Sequence, residues 1–293
     1  MFSGSLVAIV TPMRTDGAVD PAAWSRLIDF HLENGTSGIV IGGTTGESAT
    51  LTDAELGELT ERTCAQTARR IAVIAGAGSS STAATVERAR WLSQLPIDAL
   101  LVVTPAYNRP TQEGLYQHFA AVARASRVPV IAYNVPSRTA VDMLPETVAR
   151  LSQLDGIVAI KEAVPEIERV RQLRAQCRQG FDVLSGDDAT AREAALAGAV
   201  GVVSVTANVA PRSMARLMAA AVRGESVDAA ELDAPLAVLH RALFVEANPI
   251  PVKWALQRMG RIERGIRLPL TELSERHHVA VLEALRASGA LGR

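Results

Sequence analysis

Eight short apolar runs, each followed by a helical stretch, constrain the fold of this chain more than any other feature of its sequence. The runs are almost continuously apolar, and their polar residues do not alternate with apolar ones. This pattern is typical of parallel strands that are covered by other elements on both faces. The eight runs are Leu6–Thr11, Gly38–Gly42, Ile71–Ala75, Ala99–Thr104, Val130–Asn134, Ile157–Lys161, Phe181–Ser185 and Val202–Thr206.

Residues that start helices lie between these runs. Asp20-Pro21 combines an N-cap residue with a proline at the first helical position, and Thr52–Glu55 has the sequence of a capping box. Ser79–Thr82 and Thr111–Glu113 predict two further helix starts. Strand–helix alternation repeated eight times predicts an α/β fold, a (β/α)8 TIM barrel. A doubly wound open sheet is the alternative, but no G-x-G-x-x-G follows the first run, where a dinucleotide-binding sheet needs it.

The C-terminal part of the chain shows helical patterns and no further strand. The patterns cover Leu232–Phe244, Pro251–Met259 and Leu270–Leu285. We therefore predict a catalytic barrel over residues 1–224 and a C-terminal helical extension over residues 225–293. No Gly/Ser-rich or Pro-rich linker separates the two, so we expect the extension to pack on the barrel.

Composition excludes several classes of function. The formal net charge is -1, with acids and bases well mixed, so no basic field favours nucleic acid. No apolar run approaches the roughly 18 residues that span a bilayer, and the N-terminus lacks the basic-then-apolar pattern of a signal peptide. Cys64 and Cys177 are isolated and have no metal-type spacing. We expect a cytoplasmic protein.

Lysine is rare in this chain, and one lysine has an informative position. Of the 30 basic residues only Lys161 and Lys253 are lysines, and Lys161 ends the apolar run that begins at Gly156. An arginine bias from nucleotide composition would explain the rarity. Such a bias does not explain why Lys161 lies at the end of an apolar run, because lysine is seldom buried. A desolvated lysine can lose its proton and become a nucleophile, which arginine cannot.

The barrel prediction places several polar groups at one mouth. Active sites of (β/α)8 barrels lie at the C-terminal ends of the strands. Here those ends are Gly42–Glu47, Thr104–Asn108, Tyr133–Arg138, Lys161-Glu162 and Ser185–Asp188.

Each of these groups also has a purely structural interpretation. The glycine-rich turn could bind an anion or simply connect a strand to a helix. Tyr133 could be a core aromatic or a proton carrier close to the lysine, and Arg138 could be solvated or bind a carboxylate. Asp187-Asp188 could ligate a metal, although we expect Asp188 to cap the next helix. We expect Glu162 to support the site through ion pairs or hydrogen bonds.

Taken together, the lysine, tyrosine, hydroxyl-bearing turn and arginine suggest imine chemistry. The lysine amine would attack a 2-keto acid and lose water. The iminium would then draw electrons from the neighbouring carbon and form an enamine nucleophile, while the phenol moves protons.

Five motifs resemble one enzyme family over the whole length of the chain. The chain resembles the dihydrodipicolinate synthase family, within the pyruvate-dependent class I aldolases that include N-acetylneuraminate lyase. The motifs are Gly43–Glu47, Thr104–Asn108, Tyr133–Thr139, Ile160–Glu162 and Ser185–Asp188, and the likeness continues through Gly201–Asn208 and Asn248–Lys253.

The resemblance implies a reaction and roles for named residues. It implies that pyruvate forms a Schiff base with Lys161 and then condenses with aspartate semialdehyde, giving the cyclic precursor of diaminopimelate and lysine. Tyr133, Thr44 and Tyr107 would form a proton relay, with Tyr107 reaching into a neighbouring subunit's site. No separate cofactor and no metal are implied, and a homotetramer built as a dimer of dimers is expected.

The remaining implied contacts are with substrate. Thr45 and the amides of its turn would bind the pyruvate carboxylate, and Arg138 the carboxylate of aspartate semialdehyde. Backbone carbonyls of Gly186 and Val203 would line the pocket, and Lys253 would be structural.

Two features favour the synthase over its relatives. Arg138 and the Thr44-Thr45 pair fit a second small carboxylate substrate better than a sugar acid. The alternatives are another pyruvate aldolase, such as an N-acetylneuraminate or 2-keto-3-deoxy-sugar-acid lyase, and a non-catalytic barrel that senses a keto acid.

The chain departs from lysine-inhibited members of the family at five positions. Those members carry aromatic, amide, acidic or basic side chains that contact lysine. This chain has Ala106, Ser80, Ala84, Asp53 and Leu56 there. We therefore expect weak or no feedback inhibition by lysine.

Overall fold

Eight parallel strands close into a single barrel in strand order β1 to β8. The computed structural model describes residues 2–291. Every strand pairs in parallel with the next one in sequence, and β8 pairs with β1. The (β/α)8 barrel is therefore confirmed, and the doubly wound sheet is excluded. The strands are β1 Gly4–Ala8, β2 Gly38–Ile41, β3 Ala72–Gly76, β4 Ala99–Val103, β5 Val130–Asn134, β6 Ile157–Glu162, β7 Asp182–Ser185 and β8 Gly201–Ser204.

Helices cover the barrel and continue beyond it. The helices that alternate with the strands are α1 Pro21–Glu33, α2 Asp53–Thr67, α3 Thr82–Leu92, α4 Gln112–Ala125, α5 Pro136–Thr139, α6 Pro145–Ser152, α7 Ile167–Gln176, α8 Ala191–Leu196 and α9 Pro211–Val222. The extension contains α10 Ser226–Asp233, α11 Ala237–Ala242, α12 Ile250–Arg258 and α13 His278–Ala287. Short 3-10 helices cover Thr206–Asn208 and Glu275–His277.

The helix starts follow from local side-chain caps. Asp20 accepts hydrogen bonds from the first free N–H groups of α1. Thr52 and Glu55 form the predicted reciprocal capping box on α2. The side chains of Ser81 and Thr111 accept one backbone N–H each, from Ala84 of α3 and Gly114 of α4. All four predicted starts are confirmed.

Side-chain alternation along the strands separates two apolar layers. Ile131 and Ala159 belong to the inner layer that fills the barrel, whereas Ala132 and Ile160 belong to the outer layer under the helices. Successive strand residues point to opposite faces. Both layers are buried, which explains why the strands are apolar at nearly every position.

Two strand ends differ from the apolar runs that predicted them. The first strand ends at Ala8 and does not continue to Thr11, whose hydroxyl donates to the Gly46 carbonyl at 2.8 Å. The eighth ends at Ser204 and not beyond it, because the backbone turns into a 3-10 helix at Thr206.

The prediction that Asp188 caps the next helix was wrong. Its Oδ2 accepts the N–H groups of Val205 and Thr206 at 2.9 and 2.8 Å. Asp187 instead accepts the backbone N–H and hydroxyl of Thr190, the residue just before α8. Asp188 thus joins the ends of β7 and β8.

The C-terminal extension contacts the barrel near the end of β8. His240 Nδ1 of α11 lies 2.9 Å from the Thr206 hydroxyl. The expected helix over Leu270–Leu285 is shorter than predicted, because helical structure begins only at Glu275. The boundary at residue 224 stays a prediction, and residues 292 and 293 of the extension lie outside the described residues. Within residues 2–291, no helix has the length and apolar character needed to cross a bilayer.

Candidate active site

Lys161 and Tyr133 meet inside the barrel mouth. Tyr133 is the register partner of Lys161 across β5 and β6. The Lys161 Nζ lies 4.2 Å from the centroid of the Tyr133 ring, and both residues are 6% exposed. By strand alternation from Ala159, Lys161 points into the barrel and not toward the helices. The two residues that were predicted to share the chemistry are therefore in contact.

The turn after β2 carries the hydroxyl groups of Thr44 and Thr45. It lies at the same end of the barrel as Lys161 and Tyr133. The amide of Gly46 donates to the Gly43 carbonyl at 3.0 Å, and the amide of Glu47 donates to the Thr44 carbonyl at 3.1 Å. Thr45 is 2% exposed, and Thr44 is half-buried. The Thr45 oxygen accepts a hydrogen bond from Asn248 Nδ2 at 2.9 Å. The Thr45 hydroxyl proton is then free to be donated to an anion.

Asn248 connects two of the predicted substrate-binding residues. Besides contacting Thr45, it accepts a hydrogen bond at its backbone carbonyl from Arg138 Nη2, at 3.3 Å. Arg138 lies on the exposed end of α5, immediately after β5. Asn248 lies in the motif Asn248–Lys253, for which no contact with Thr45 was predicted. Its position 203 residues from Thr45 explains why local pattern could not place it there.

The residues expected to line the pocket lie at the ends of the last two strands. The amide of Gly186 donates to the Glu162 carbonyl at 2.6 Å. A Cβ at Gly186 would lie 2.8 Å from the Ala163 Cβ, so this close approach favours glycine. Val203 is 2% exposed and belongs to the inner layer of the barrel.

Tyr107 is not packed into its own barrel. It lies in the loop after β4 with a φ of 72°, and it is 95% exposed. A large aromatic residue with this exposure leaves its apolar ring in water. The single chain therefore brings Lys161 and Tyr133 together and leaves the Tyr107 phenol outside.

Glu162 follows Lys161 but faces the opposite side of β6. Its carboxylate accepts hydrogen bonds from Asn134 Nδ2 at 3.0 and 3.2 Å and from the Val164 amide at 2.9 Å. Asn134 also donates to Asp142 at 2.7 Å, and Asp142 pairs with Arg169 at 2.6 Å. Burial raises the pKa of Glu162 to about 7. The predicted supporting position of Glu162, outside the reacting centre, agrees with this geometry.

A buried ion pair lies behind the turn after β2. The Glu47 carboxylate contacts Lys253 Nζ of α12 and accepts the Arg267 amide at 3.1 Å. Burial lowers the pKa of Lys253, and the Glu47 charge opposes this shift. The second lysine is thus engaged with a carboxylate outside the barrel interior.

In residues 2–291 no three or more His, Cys, Asp or Glu side chains are grouped so that they could hold a metal ion. Asp187, one of the acids considered for that role, is engaged with Thr190.

A closed (β/α)8 barrel with a buried strand-end lysine against a tyrosine defines a lysine-dependent, Schiff-base-forming lyase. The family model described as the dihydrodipicolinate synthetase family matches residues 1–288. The chain belongs to this family, as its motifs predicted.

Individual relatives support the same family over the full length. The chain is 53% identical to a 4-hydroxy-tetrahydrodipicolinate synthase of Alkalilimnicola ehrlichii, covering 99% of this chain and 100% of the relative. It is 54% identical to the enzyme of the same name from Thioalkalivibrio sulfidiphilus, covering 99% and 98%. A crystal structure of a chloride-inhibited dihydrodipicolinate synthase from Acinetobacter baumannii, complexed with pyruvate, matches with a TM-score of 0.98 at 46% identity, covering 99% of this chain and 100% of that one.

Proposed function

We propose that this protein condenses pyruvate with L-aspartate 4-semialdehyde through an imine on Lys161, giving 4-hydroxy-tetrahydrodipicolinate. The observation that carries this function is the contact of Lys161 Nζ with the Tyr133 ring, 4.2 Å from its centroid, inside a barrel mouth. The other lysine, Lys253, contacts Glu47 and is 4% exposed. Of the two lysines, Lys161 is therefore the one whose amine lies at the barrel mouth beside Tyr133.

The reaction follows from the electron demand of the imine. The unprotonated amine attacks the pyruvate carbonyl carbon, and loss of water leaves an iminium. A proton then leaves the methyl carbon, and the resulting enamine forms the new carbon–carbon bond to the aldehyde carbon. The amino group of the second substrate displaces Lys161 from the imine carbon, which closes the ring and frees the enzyme.

The proton transfers are assigned to the hydroxyl groups at the mouth. Tyr133 is adjacent to the amine, and Thr44 lies in the turn after β2. Tyr107 would complete this relay from the neighbouring subunit. Its 95% exposure in the single chain supports that assignment, because an interface would cover the ring.

Two carboxylates need two binding groups. The Thr45 hydroxyl and the amides of its turn would bind the pyruvate carboxylate. Arg138 would bind the carboxylate of aspartate semialdehyde, since a guanidinium can pair with a carboxylate through two hydrogen bonds. The carbonyls of Gly186 and Val203 would line the space between them.

The functional protein is proposed to be a cytoplasmic homotetramer, a dimer of dimers, that works without a separate cofactor. The electron sink is the imine of the substrate itself. Activity that survives exhaustive dialysis against EDTA supports this part of the proposal, and activity restored only by an added metal ion contradicts it.

Lysine is not expected to regulate the enzyme strongly. Asp53 pairs with Arg88 at 2.7 Å, and Leu56 is 5% exposed within the core. The Arg88 charge offsets that of Asp53, and the Leu56 side chain has no polar atom to offer an ammonium group. Ala106, Ser80 and Ala84 offer no charge.

Borohydride trapping tests the function directly. Reduction in the presence of pyruvate should attach the three-carbon unit to the peptide that contains Lys161, as read by mass spectrometry. Lys161→Arg should abolish the adduct, since arginine cannot deprotonate. An adduct on Lys253, or none, would contradict the mechanism.

The second substrate is tested separately. Arg138→Leu should raise the KM for aspartate semialdehyde and leave the pyruvate concentration for half-maximal trapping unchanged. Cleavage of N-acetylneuraminate or a 2-keto-3-deoxy sugar acid, with no condensation of aspartate semialdehyde, would favour the related lyases instead.

A further inference from the structure

The C-terminal extension contacts the turn after β2 at two points. Asn248 donates to the Thr45 hydroxyl oxygen, and Lys253 contacts the Glu47 carboxylate. The partners are 203 and 206 residues apart in sequence. Both donors lie at the start of α12 or just before it. The turn that presents Thr44 and Thr45 is therefore held from outside the barrel.

The second contact is a buried ion pair. The side chains of Lys253 and Glu47 are 5% and 1% exposed. Exposed ion pairs contribute little to position, because solvent screens them and both side chains lose conformational freedom. A buried pair behaves differently, because losing one partner leaves an uncompensated charge in the protein interior. This pair therefore resists separation of α12 from the turn.

The backbone at Glu47 needs such support. Its φ is 59°, in the left-handed region that non-glycine residues seldom occupy. Residues in this region persist where the surroundings fix them. Both carboxylate oxygens of Glu47 are engaged, one by Lys253 and the other by the Arg267 amide. The side chain thus fixes the conformation of the residue that closes the Thr44–Glu47 turn.

We propose that Glu47 and Lys253 are positioning residues for pyruvate: their buried ion pair fixes the turn whose Thr45 hydroxyl and amides bind the pyruvate carboxylate. The C-terminal extension then helps to hold the active site in shape. This inference rests on the proposed function, because it assumes that the turn binds pyruvate. It differs from a general role in folding, because the expected defect lies in pyruvate affinity.

The test compares Glu47→Gln, Lys253→Met and the double variant with the wild type. The measured quantity is the pyruvate concentration that gives half-maximal borohydride trapping, which needs no second substrate. Each variant should raise it at least tenfold, with the adduct still on Lys161. In steady state the KM for pyruvate should rise more than kcat falls. The double variant removes both charges and so leaves no unpaired one in the interior.

Arg192→Met is the matched control. It removes the ion pair of Arg192 with Asp233 of α10 at 3.3 Å, which joins barrel and extension away from the turn, together with the contact of Arg192 with the neighbouring Glu193. It should lower thermal stability without changing the half-saturating pyruvate concentration.

The outcomes separate the two proposals. No adduct in the wild type overturns the proposed function and this inference with it. Wild-type trapping with an unchanged half-saturating concentration in the folded double variant overturns this inference alone. If the double variant does not fold, Glu47→Gln carries the same comparison, because glutamine keeps an acceptor for the Arg267 amide. Failure of all three variants to fold would assign the pair to folding and overturn the inference.

Discussion

Glu162 should make this protein less stable as the pH rises through neutrality. The residue is 2% exposed, and burial raises its pKa from an ordinary value of 4.5 to about 7. Hydrogen bonds from Val164 and Asn134 and the charge of Arg169 oppose the shift, and the Asp142 carboxylate adds to it. The folded state therefore binds the proton more tightly than the unfolded chain does. The contribution of this group to stability is fully present below pH 4.5 and is lost as the pH rises through about 7.

The size of the effect follows from the two pKa values. A pKa difference of one corresponds to about 1.4 kcal/mol, so the charged carboxylate costs as much as about 3 kcal/mol above neutrality. Glu162→Gln removes this charge with almost no change of shape, and its amide oxygen can still accept from Val164. The variant should lie within about 1 kcal/mol of the wild type at pH 5 and be more stable by up to about 3 kcal/mol at pH 8.5.

Urea unfolding at both pH values and at a fixed protein concentration measures this difference. Glu168→Gln is the control, since the Glu168 side chain is 64% exposed and its neutralisation should change little at either pH. Because Glu162 faces away from Lys161, pyruvate trapping should be retained in Glu162→Gln. A variant less stable than the wild type at pH 8.5, or shifted equally at both pH values, would refute the reasoning.

Three further predictions concern subunit assembly, inhibition by lysine and the ion pair of Glu55 with Arg267. If Tyr107 acts in the neighbouring subunit, mixing inactive Lys161→Arg with inactive Tyr107→Phe should restore up to about a quarter of the wild-type activity, because half of the dimers are hybrids and each hybrid contains one complete site. No recovery of activity after verified subunit exchange would show that Tyr107 does not act across the interface. Initial rates should be unaffected by L-lysine at about 1 mM, the upper end of common intracellular substrate concentrations. Half-maximal inhibition at a lower lysine concentration would contradict the expectation, drawn from Ala106 and the other four positions, that lysine inhibits weakly or not at all. Hydrogen bonds from Arg267 hold the pKa of Glu55 at about 2, below its ordinary 4.5, so Glu55→Gln should cost about 1–2 kcal/mol at pH 7. The loss of unfolding free energy caused by the substitution should shrink as the pH falls from 4.5 toward 2. Urea unfolding across this pH range measures that loss, and a loss independent of pH would contradict the lowered pKa of Glu55.

The barrel was predictable because its determinants are local and repeated. Apolar runs mark the buried strands, and residues such as Asp20 and Thr52 mark helix starts through contacts within one helical turn. The barrel rule then placed Lys161 and Tyr133 together, since neighbouring parallel strands bring their C-terminal ends to one face.

What sequence could not supply depends on distant partners. Aspartate often caps helices, yet the Asp188 carboxylate accepts hydrogen bonds from backbone amides just after β8. The apolar run after Ala8 continues to Val10, so hydrophobicity did not reveal where the strand ends. The contacts of Asn248 and Lys253 with the turn after β2 join segments that no local pattern relates.

The rarity of lysine has a consequence for the outer surface. All but two of the 30 basic residues are arginines, and Lys161 and Lys253 are 6% and 4% exposed. A lysine-bearing surface loses positive charge at about pH 10, whereas guanidinium groups stay protonated to beyond about pH 12. Surface pairs such as Arg150 with Glu113 should therefore persist in strongly alkaline solution. Reagents that acylate or cross-link primary amines therefore find no exposed ε-amino group on this fold, since one lysine is buried beside Tyr133 and the other is paired with Glu47.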